Sequence, residues 1–268
     1  MVDKSFGFTI CAVPKSFEDG HVAMLQNNAI RSWTELGPVA EIILCGDDAG
    51  VADAAQRFGT LHIGGVKCVD SGQPFLNDVV ARTQQIASND VIVYISADIV
   101  LFRDFAGALE ATANYFPNEF VMIGARWDWA SPVAIDFSGD WISWVIALAK
   151  KQGHKHSDYG MDYFAFRRGV FDSMLEYIVG WYAWDNALVL DIVERKIPLV
   201  NATHDVFAIH QNHPERIRDR GKVGTAWQRI WNLNLAGGLP KLREGGGGHI
   251  GRSNWKLADG KLSTRGSR

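Results

Sequence analysis

Acidic and imidazole side chains follow apolar stretches of the chain at three points. Asp98 follows VIVYISA, Asp185 follows GWYAW, and His210 and His213 follow VFAI. Burying an ionised carboxylate without a partner costs several kcal/mol, so Asp98, which lies between two apolar runs, is expected at a strand end facing a cavity, a cation or a donor. One carboxylate and one imidazole, completed by water and phosphate oxygens, suit Mn²⁺ or Mg²⁺ better than structural zinc. The pattern predicts a divalent metal site with a base beside it.

Each of these side chains also has a purely structural interpretation. Asp98 could cap the turn after its strand, although the apolar residues that follow make this role less favourable. Asp185 precedes the helical run NALVLDIVERK, and aspartate is a favoured N-cap. His210 and His213 could be ordinary residues at a strand end, but two imidazoles beside Asn212 favour a ligand role. The residue pattern leaves both interpretations open.

Strand and helix patterns, which must position these residues, alternate over the first 124 residues. Strands are predicted at 8–13, 41–45, 61–63, 91–95 and 120–123. Helices are predicted at 22–36, 51–58, 76–86 and 104–115. Repeated strand–helix units with continuously apolar strands are typical of an α/β, mostly parallel sheet that is covered on both faces. Ligands of such sheets bind beyond the carboxyl ends of the strands, where Asp98 is expected.

The second half of the chain is rich in aromatic residues. Of the ten tryptophans, only Trp33 precedes position 127, and six lie within 127–184. Aromatic clusters form cores first, but indole faces also stack on sugar rings, so this segment predicts a core that lines a sugar pocket in part. Strands are predicted at 163–166, 198–202 and 206–210, with a helix at 186–195. We expect one composite domain over 1–240 and a loosely ordered, glycine-rich tail over 241–268.

The composition excludes several classes of function. The 268 residues carry 27 basic and 30 acidic side chains, a formal net charge of -3, which leaves no electrostatic footprint for nucleic acid or an anionic membrane. Three cysteines without metal-type spacing indicate reduced thiols, and no apolar run approaches the ~18 residues of a membrane span. We therefore expect a soluble, cytoplasmic protein. The sequence has no glycine-rich phosphate loop and no Gly-x-Ser-x-Gly elbow, so a nucleotide would be held by a metal and by strand-end side chains.

Several segments, taken in chain order, resemble one known family. FTICAVPK, EIILCGDDAGV, VIVYISADIVL, GMDYFAFRRG, GWYAWDNALV and PLVNATHDVFAIHQNH, within roughly residues 8–238, are similar to nucleotide-diphospho-sugar transferases of the GT-A fold. The resemblance implies a Rossmann-like sheet whose first half, 1–124, binds the nucleotide and whose aromatic-rich second half, 125–240, binds the acceptor and carries out catalysis. It implies inverting transfer of a sugar from a nucleotide diphospho-sugar, with UDP expected, to a hydroxyl of a glycan acceptor, assisted by Mn²⁺ or Mg²⁺.

The resemblance also implies roles for individual positions. Ser96-Ala97-Asp98 matches the Asp-x-Asp metal motif with serine at its first position, and His210, or less readily His213, matches the C-terminal histidine of the metal site. Asp185 matches the acid that acts as base in inverting enzymes; Asp162 is the second candidate, with an acceptor-binding role favoured. The implied nucleotide-binding positions are Ala12, Val13, Pro14, Gly46, Asp47, Asp48, Asn77, Asp78, Arg82, Ser96 and Ala97. The implied acceptor-binding positions are Arg126, Trp127, Asp128 and Trp184.

Two other functions stay open at this point. A metal-dependent hydrolase could use Asp98 with His204, His210 and His213, although His204 and Asp205 are otherwise interpreted as turn residues. A non-catalytic nucleotide or carbohydrate binder could retain the same fold. The transferase is favoured because a dication neutralises the charge that develops on a leaving diphosphate, and a second carboxylate can take the proton of the acceptor hydroxyl.

Overall fold

The computed structural model describes residues 6–37, 40–131, 133–213, 225–238, 241 and 247–265. Its strands are β1 (Phe8–Ala12), β2 (Ala40–Cys45), β3 (Leu61–Ile63), β4 (Val91–Ile95), β5 (Ile99–Val100), β6 (Val121–Ile123), β7 (Arg126–Trp129), β8 (His154–Lys155), β9 (Tyr163–Arg167), β10 (Leu199–Asn201), β11 (Ala208–Gln211), β12 (Trp255–Ala258) and β13 (Lys261–Thr264). Its α-helices are α1 (Gly20–Thr34), α2 (Val51–Phe58), α3 (Leu76–Ile86), α4 (Arg103–Tyr115), α5 (Trp141–Gln152), α6 (Trp184–Glu194) and α7 (Thr225–Leu235).

The larger of two sheets contains nine of the described strands, in the order β13-β12-β10-β6-β9-β4-β1-β2-β3. β9 runs antiparallel to both of its neighbours, β4 and β6, and β13 runs antiparallel to β12. The other neighbouring pairs are parallel. Parallel neighbours need a crossover connection, which α1 supplies between β1 and β2 and α2 between β2 and β3. The mostly parallel α/β sheet predicted from the sequence is confirmed.

Side chains of this sheet alternate between two cores, because successive residues of a strand point to opposite faces. In β4, Val91, Val93 and Ile95 pack with α1, α2 and α4, whereas Ile92 and Tyr94 pack with α3 and α6. Both faces are covered, which explains why the strand sequences are continuously apolar. Across the described residues, no helix combines the length and the hydropathy that a membrane crossing requires.

A smaller sheet, with the strand order β5-β11-β7-β8, explains the apolar residues on both sides of Asp98. The chain leaves β4, turns at residues 96–98 and enters β5, where Val100 packs into a third core between this sheet and α5. Trp141, Val145 and Ala149 are the buried residues of α5 in that core. The run VIVYISADIVL is therefore two strands of two sheets, and Asp98 lies in the turn that joins them.

Helix α1 holds this turn through buried polar side chains. The indole N–H of Trp33 donates to the carbonyl of Ile99 at 2.9 Å. The side-chain amide of Gln211, on β11, donates to the carbonyl of Asp98 at 3.1 Å, and the Asn28 amide donates to Gln211 Oε1 at 2.8 Å. Asn28 and Gln211 are 3% and 0% exposed, so these bonds are shielded from water and determine where the turn lies.

In the second half, one helix was not predicted and one expectation, about the tail, is wrong. The sequence patterns do not predict α5, because WISWVIALAKKQ is apolar on several sides and Trp144 is exposed, which obscures the helical period. The tail is not loosely ordered over residues 255–264, where β12 pairs in parallel with β10 and β13 returns as a hairpin. The glycine-rich segment before it obscures the alternating apolar and polar pattern of WKLADGKLST. In this pattern Asp259 and Gly260 form the turn, both with positive φ.

We expect Asn28→Ala to lower the free energy of unfolding by about 2–3 kcal/mol, because the change removes the partner of Gln211 Oε1 and of the Ile135 N–H, which are buried. Urea denaturation followed by circular dichroism measures the loss. The matched control is Asn27→Ala on the same helix, since Asn27 bonds only to the exposed guanidinium of Arg57 among the described side chains. Equal losses of unfolding free energy in the two variants would contradict the role of the buried Asn28 hydrogen bonds in stability.

Candidate active site

A cavity of about 870 Å³ opens beyond the carboxyl ends of β1 and β4. Its walls come from the segments that follow these strands, from β7 and β11, and from the turn that precedes α6. The acidic residues that line it are Asp98, Asp128, Asp162 and Asp185, and the histidines are His156, His210 and His213. The three groups of side chains that the sequence singles out therefore meet in one cavity.

Asp98, His210 and His213 form the candidate metal site. Their ligand atoms all lie within 4.8 Å of one another: Asp98 Oδ2 is 3.0 Å from His213 Nε2 and 3.7 Å from His210 Nε2. The second carboxylate oxygen, Oδ1, is buried and has no hydrogen-bond partner among the described residues. His210 Nδ1 lies 2.9 Å from Asn212 Oδ1, so the Asn212 side chain orients the ring with Nε2 towards Asp98. This donor set fits a divalent cation.

The carboxyl group of Asp98 is ionised. Burial by itself would raise the pKa of Asp98, but the hydrogen bond from His213 and the positive charges of His210 and Lys15 hold that pKa well below its usual range. A metal ligand must be deprotonated, so the local electrostatics keep Asp98 in the form that binds a cation.

Asp185 has the opposite electrostatic character. It lies in the first turn of α6, whose N-cap is Ala183, two positions before Asp185. Burial and the negative charge of Asp162 raise the pKa of Asp185 from 3.8 to about 7, against the lowering effect of the backbone N–H groups of Asn186 and Met161. A carboxylate with a pKa near neutrality is well matched to accept a proton at neutral pH.

Arg126 joins two of the cavity carboxylates. Its Nε donates to Asp128 Oδ1 at 2.9 Å and its Nη1 donates to Asp162 Oδ2 at 2.5 Å. Asp128 also accepts from His156 Nδ1 at 2.6 Å. Any side chain at position 160 would collide with the His156 ring, which accounts for Gly160. The Asp162 carboxylate is therefore held by an ion pair, whereas Asp185 has no ion-pair partner among the described residues.

The nucleotide-binding positions implied by the resemblance divide into two groups. Val13, Ser96 and Ala97 line the cavity. The others lie at or after the ends of β1 and β2 or on α3, outside the cavity lining: Ala12, Pro14, Gly46, Asp47, Asp48, Asn77, Asp78 and Arg82. Two of these acids have local partners, since Asp78 accepts from Arg82 Nε at 2.7 Å and Asp47 accepts from the Gly65 N–H at 2.7 Å.

Three of the four acceptor-binding positions line the cavity, namely Arg126, Asp128 and Trp184. Trp127 does not, because its indole N–H donates to the carbonyl of Ala149 at 2.8 Å and its ring packs near the third core. The lining residues that sequence reasoning missed include Lys15, His156, Trp181 and Tyr182. Trp181 and Tyr182 stand in the GWYAWDN segment itself, so their proximity to Asp185 is the signal that could have found them.

His204 does not join the metal site. Its Nδ1 lies 2.7 Å from Asp205 Oδ1, and the Asp205 carboxylate accepts the backbone N–H groups of Asp259 and Gly260, both at 2.8 Å. His204 and Asp205 thus lie in a turn, as interpreted from the sequence, and Asp205 fastens the β12–β13 hairpin.

Comparison with solved structures identifies the same fold in a sugar transferase. Glucosyl-3-phosphoglycerate synthase from Mycobacterium tuberculosis, in complex with Mn²⁺, UDP and phosphoglyceric acid, is 16% identical to this chain, with a TM-score of 0.54 over 87% of this chain and 80% of the other. The same enzyme with Mg²⁺ and UDP is 15% identical, with a TM-score of 0.51 and the same coverage. No protein-family model matches the sequence, and no curated protein matches it significantly.

The structural likeness, together with the sheet order and the position of the cavity, defines the class of fold. The chain has the GT-A fold of nucleotide-diphospho-sugar transferases. At this identity the likeness shows the fold alone, and the substrates have to be argued from the cavity.

The raised pKa of Asp185 also predicts a pH-dependent cost to stability. The folded protein binds this proton more tightly than the unfolded chain, so the contribution of Asp185 is favourable below pH 4 and is lost as the pH rises through about 7. We expect Asp185→Asn to raise the melting temperature, by an amount that grows between pH 4 and pH 8 and corresponds to at most about 4 kcal/mol. Thermal melts across this range, without added metal, measure the difference. An offset that does not vary with pH would count against the raised pKa.

Proposed function

We propose that this chain is a metal-assisted glycosyltransferase that moves a sugar from a UDP-sugar to a hydroxyl of a glycan acceptor, with inversion at the anomeric carbon. The observation that carries the proposal is that one cavity of a GT-A fold brings a carboxylate–imidazole group, around Asp98, together with Asp185. The neighbouring enzyme, solved with Mn²⁺ or Mg²⁺ and UDP, supports the choice of donor and cation.

Asp98, His210 and His213 would hold the cation. Two imidazoles favour Mn²⁺ over Mg²⁺, because Mg²⁺ prefers an all-oxygen ligand set. When bound, the cation supplies neutralisation of the charge that develops on the leaving diphosphate. Ser96 occupies the first position of the acid motif, and its hydroxyl lies 3.4 Å from Asp162 Oδ1. We assign the ligand position of the missing acid to the second imidazole, from His213.

Asp185 is the proposed base. Its carboxylate lines the same cavity as the metal site, and its pKa of about 7 suits removal of a proton from the acceptor hydroxyl near neutral pH. Asp162, which pairs with Arg126, is a less suitable base because proton uptake would cost it that ion pair. We assign Asp162 to positioning and to the acceptor site.

The nucleotide is proposed to lie along the strand ends of residues 1–124, where Val13 joins the cavity to the segments after β1 and β2. Residues 125–240 supply the acceptor side, and we propose that both halves belong to one domain that the β12–β13 hairpin extends. Cys11 and Cys45 are free, buried thiols, which is compatible with a reducing compartment such as the cytoplasm.

The alternative functions draw less support from the cavity. The hydrolase relies on His204, which belongs to a separate group with Asp205. A non-catalytic binder has no use for a carboxylate whose pKa is raised to about 7 at a cost to stability.

We expect UDP to raise the melting temperature in the presence of Mn²⁺ more than GDP or CMP does, and more than UDP does without metal. Asp98→Ala should abolish the Mn²⁺-dependent part of the shift, because it removes the carboxylate from a three-residue site. Thermal-shift assays with each nucleotide, with and without Mn²⁺, measure both effects. His204→Ala is the matched control and should keep the full response; a metal response that ignores the nucleotide would favour the hydrolase.

Asp185→Asn is expected to bind UDP and Mn²⁺ as the parent protein does and to lose turnover by about 10²–10⁴-fold, the usual contribution of a general base. In the parent protein, donor turnover should fall as the pH drops below about 7, since Asp185 is then protonated. Release of UDP from the donor, followed at several pH values, measures both. Transfer at the parental rate by Asp185→Asn would remove Asp185 from the mechanism.

A further inference from the structure

Among the residues that the structure describes, the cavity has little cationic charge to offer an acceptor. Its described lining includes one arginine and one lysine against four aspartates. The side chain of Arg126 is 19% exposed, and its guanidinium forms ion pairs with Asp128 and Asp162, at 2.9 and 2.5 Å. The positive charge of Lys15 lowers the pKa of Asp98, so Lys15 lies at the end of the cavity where the metal and the diphosphate are proposed. An acceptor phosphate would therefore meet carboxylates rather than free cations, and its burial there would be unfavourable.

The same cavity presents an aromatic wall. This wall, residues 179–184, contributes Trp181, Tyr182 and Trp184 to the lining. Tyr182 is 60% exposed, so its ring is open to contact with a ligand in the cavity. Trp181 Nε1 is buried and has no hydrogen-bond partner among the described residues. A sugar ring can lie against this wall, because its C–H face stacks on an aromatic ring, whereas the buried Trp181 Nε1 is closed to it.

The backbone of the wall is held in an unfavourable conformation. Ala183, between Tyr182 and Trp184, has φ 60°, in the left-handed region that costs a non-glycine residue roughly 1–2 kcal/mol. The buried side chain of Asn232, on α7, secures the turn by accepting the Ile178 N–H at 2.9 Å and donating to its carbonyl at 3.1 Å. The fold thus supports a strained turn that places aromatic rings beside Asp185.

We propose that the acceptor is an uncharged sugar that stacks on Trp181 and Tyr182, and that the ion-paired state of Arg126 excludes phosphorylated acceptors. The inference rests on the glycosyltransferase function proposed above and narrows its acceptor class. It sets this chain apart from the neighbouring enzyme, whose complex contains phosphoglyceric acid.

Saturation-transfer difference NMR can test this with UDP and Mg²⁺ present, since Mg²⁺ avoids the line broadening caused by Mn²⁺. The probes are the methyl α- and β-pyranosides of glucose, galactose and mannose, and phosphoglyceric acid. At least one glycoside should receive saturation and phosphoglyceric acid should not. Tyr182→Ala and Trp181→Ala should each weaken the glycoside by about tenfold, an effect of the size of one aromatic contact. Trp144→Ala, an exposed aromatic on α5 outside the cavity, should leave binding unchanged.

Two additional variants keep the test decisive. Trp181→Phe retains an aromatic ring and should keep glycoside binding, so it tests stacking if Trp181→Ala folds poorly. Asp162→Asn leaves Arg126 with one carboxylate partner and should allow phosphoglyceric acid to bind. Phosphoglyceric acid binding the parent protein as tightly as the best glycoside, no glycoside binding while UDP still binds, or glycoside binding that survives both aromatic substitutions would each overturn the inference. Failure of UDP itself to bind would instead refute the proposed function.

Discussion

The structure depends on keeping one ionised carboxylate, that of Asp98, at the point where the chain passes from one sheet to the other. Burial alone would raise the pKa of Asp98 and favour its neutral form, yet the hydrogen bond from His213 and the nearby positive charges keep it ionised. The backbone of the same residue is held by Gln211, which in turn bonds to Asn28 on α1. The proposed cation site at this turn therefore requires β4, β11 and α1 to pack together in this arrangement.

The electrostatics of the cavity follow from dividing four aspartates between different partners. Asp98 has imidazoles, Asp128 and Asp162 share Arg126, and Asp185 has backbone N–H groups alone. Asp185 is consequently the one of these four carboxylates whose pKa rises, and the nearby negative charge of Asp162 contributes to that rise. Pushing the pKa values of neighbouring carboxyl groups apart is how one site can contain both a permanent anion and a base.

The sequence predicts the first half of the fold closely, because its strands and helices have continuous apolar runs and regular spacing. Strand β4 and helix α3 begin and end at the predicted residues. Prediction fails where the physical signal is weak or shared: α5 is apolar on several sides, β5 has two residues, and β12 follows a glycine-rich segment. The chemistry-bearing residues Asp98, Asp185 and His210 could be selected because polar groups after apolar strands are costly. His156 and Gln211 could not, since only the tertiary fold brings them to Asp128 and Asp98.

Arg126 links the proposed base, Asp185, to the proposed acceptor class through its ion pair with Asp162. If its guanidinium were free, it could bind an anionic acceptor, but Asp128 and Asp162 would then lose the cation that compensates them in a partly buried cavity. Because Asp162 also raises the pKa of Asp185, a rearrangement of this ion pair would change the proton affinity of the base as well. An uncharged sugar places no demand on Arg126, so it can be held by the aromatic wall while the carboxylates keep their partners. The ion-pair network that stabilises the cavity is therefore the same feature that makes an uncharged acceptor compatible with a base that has a pKa near 7.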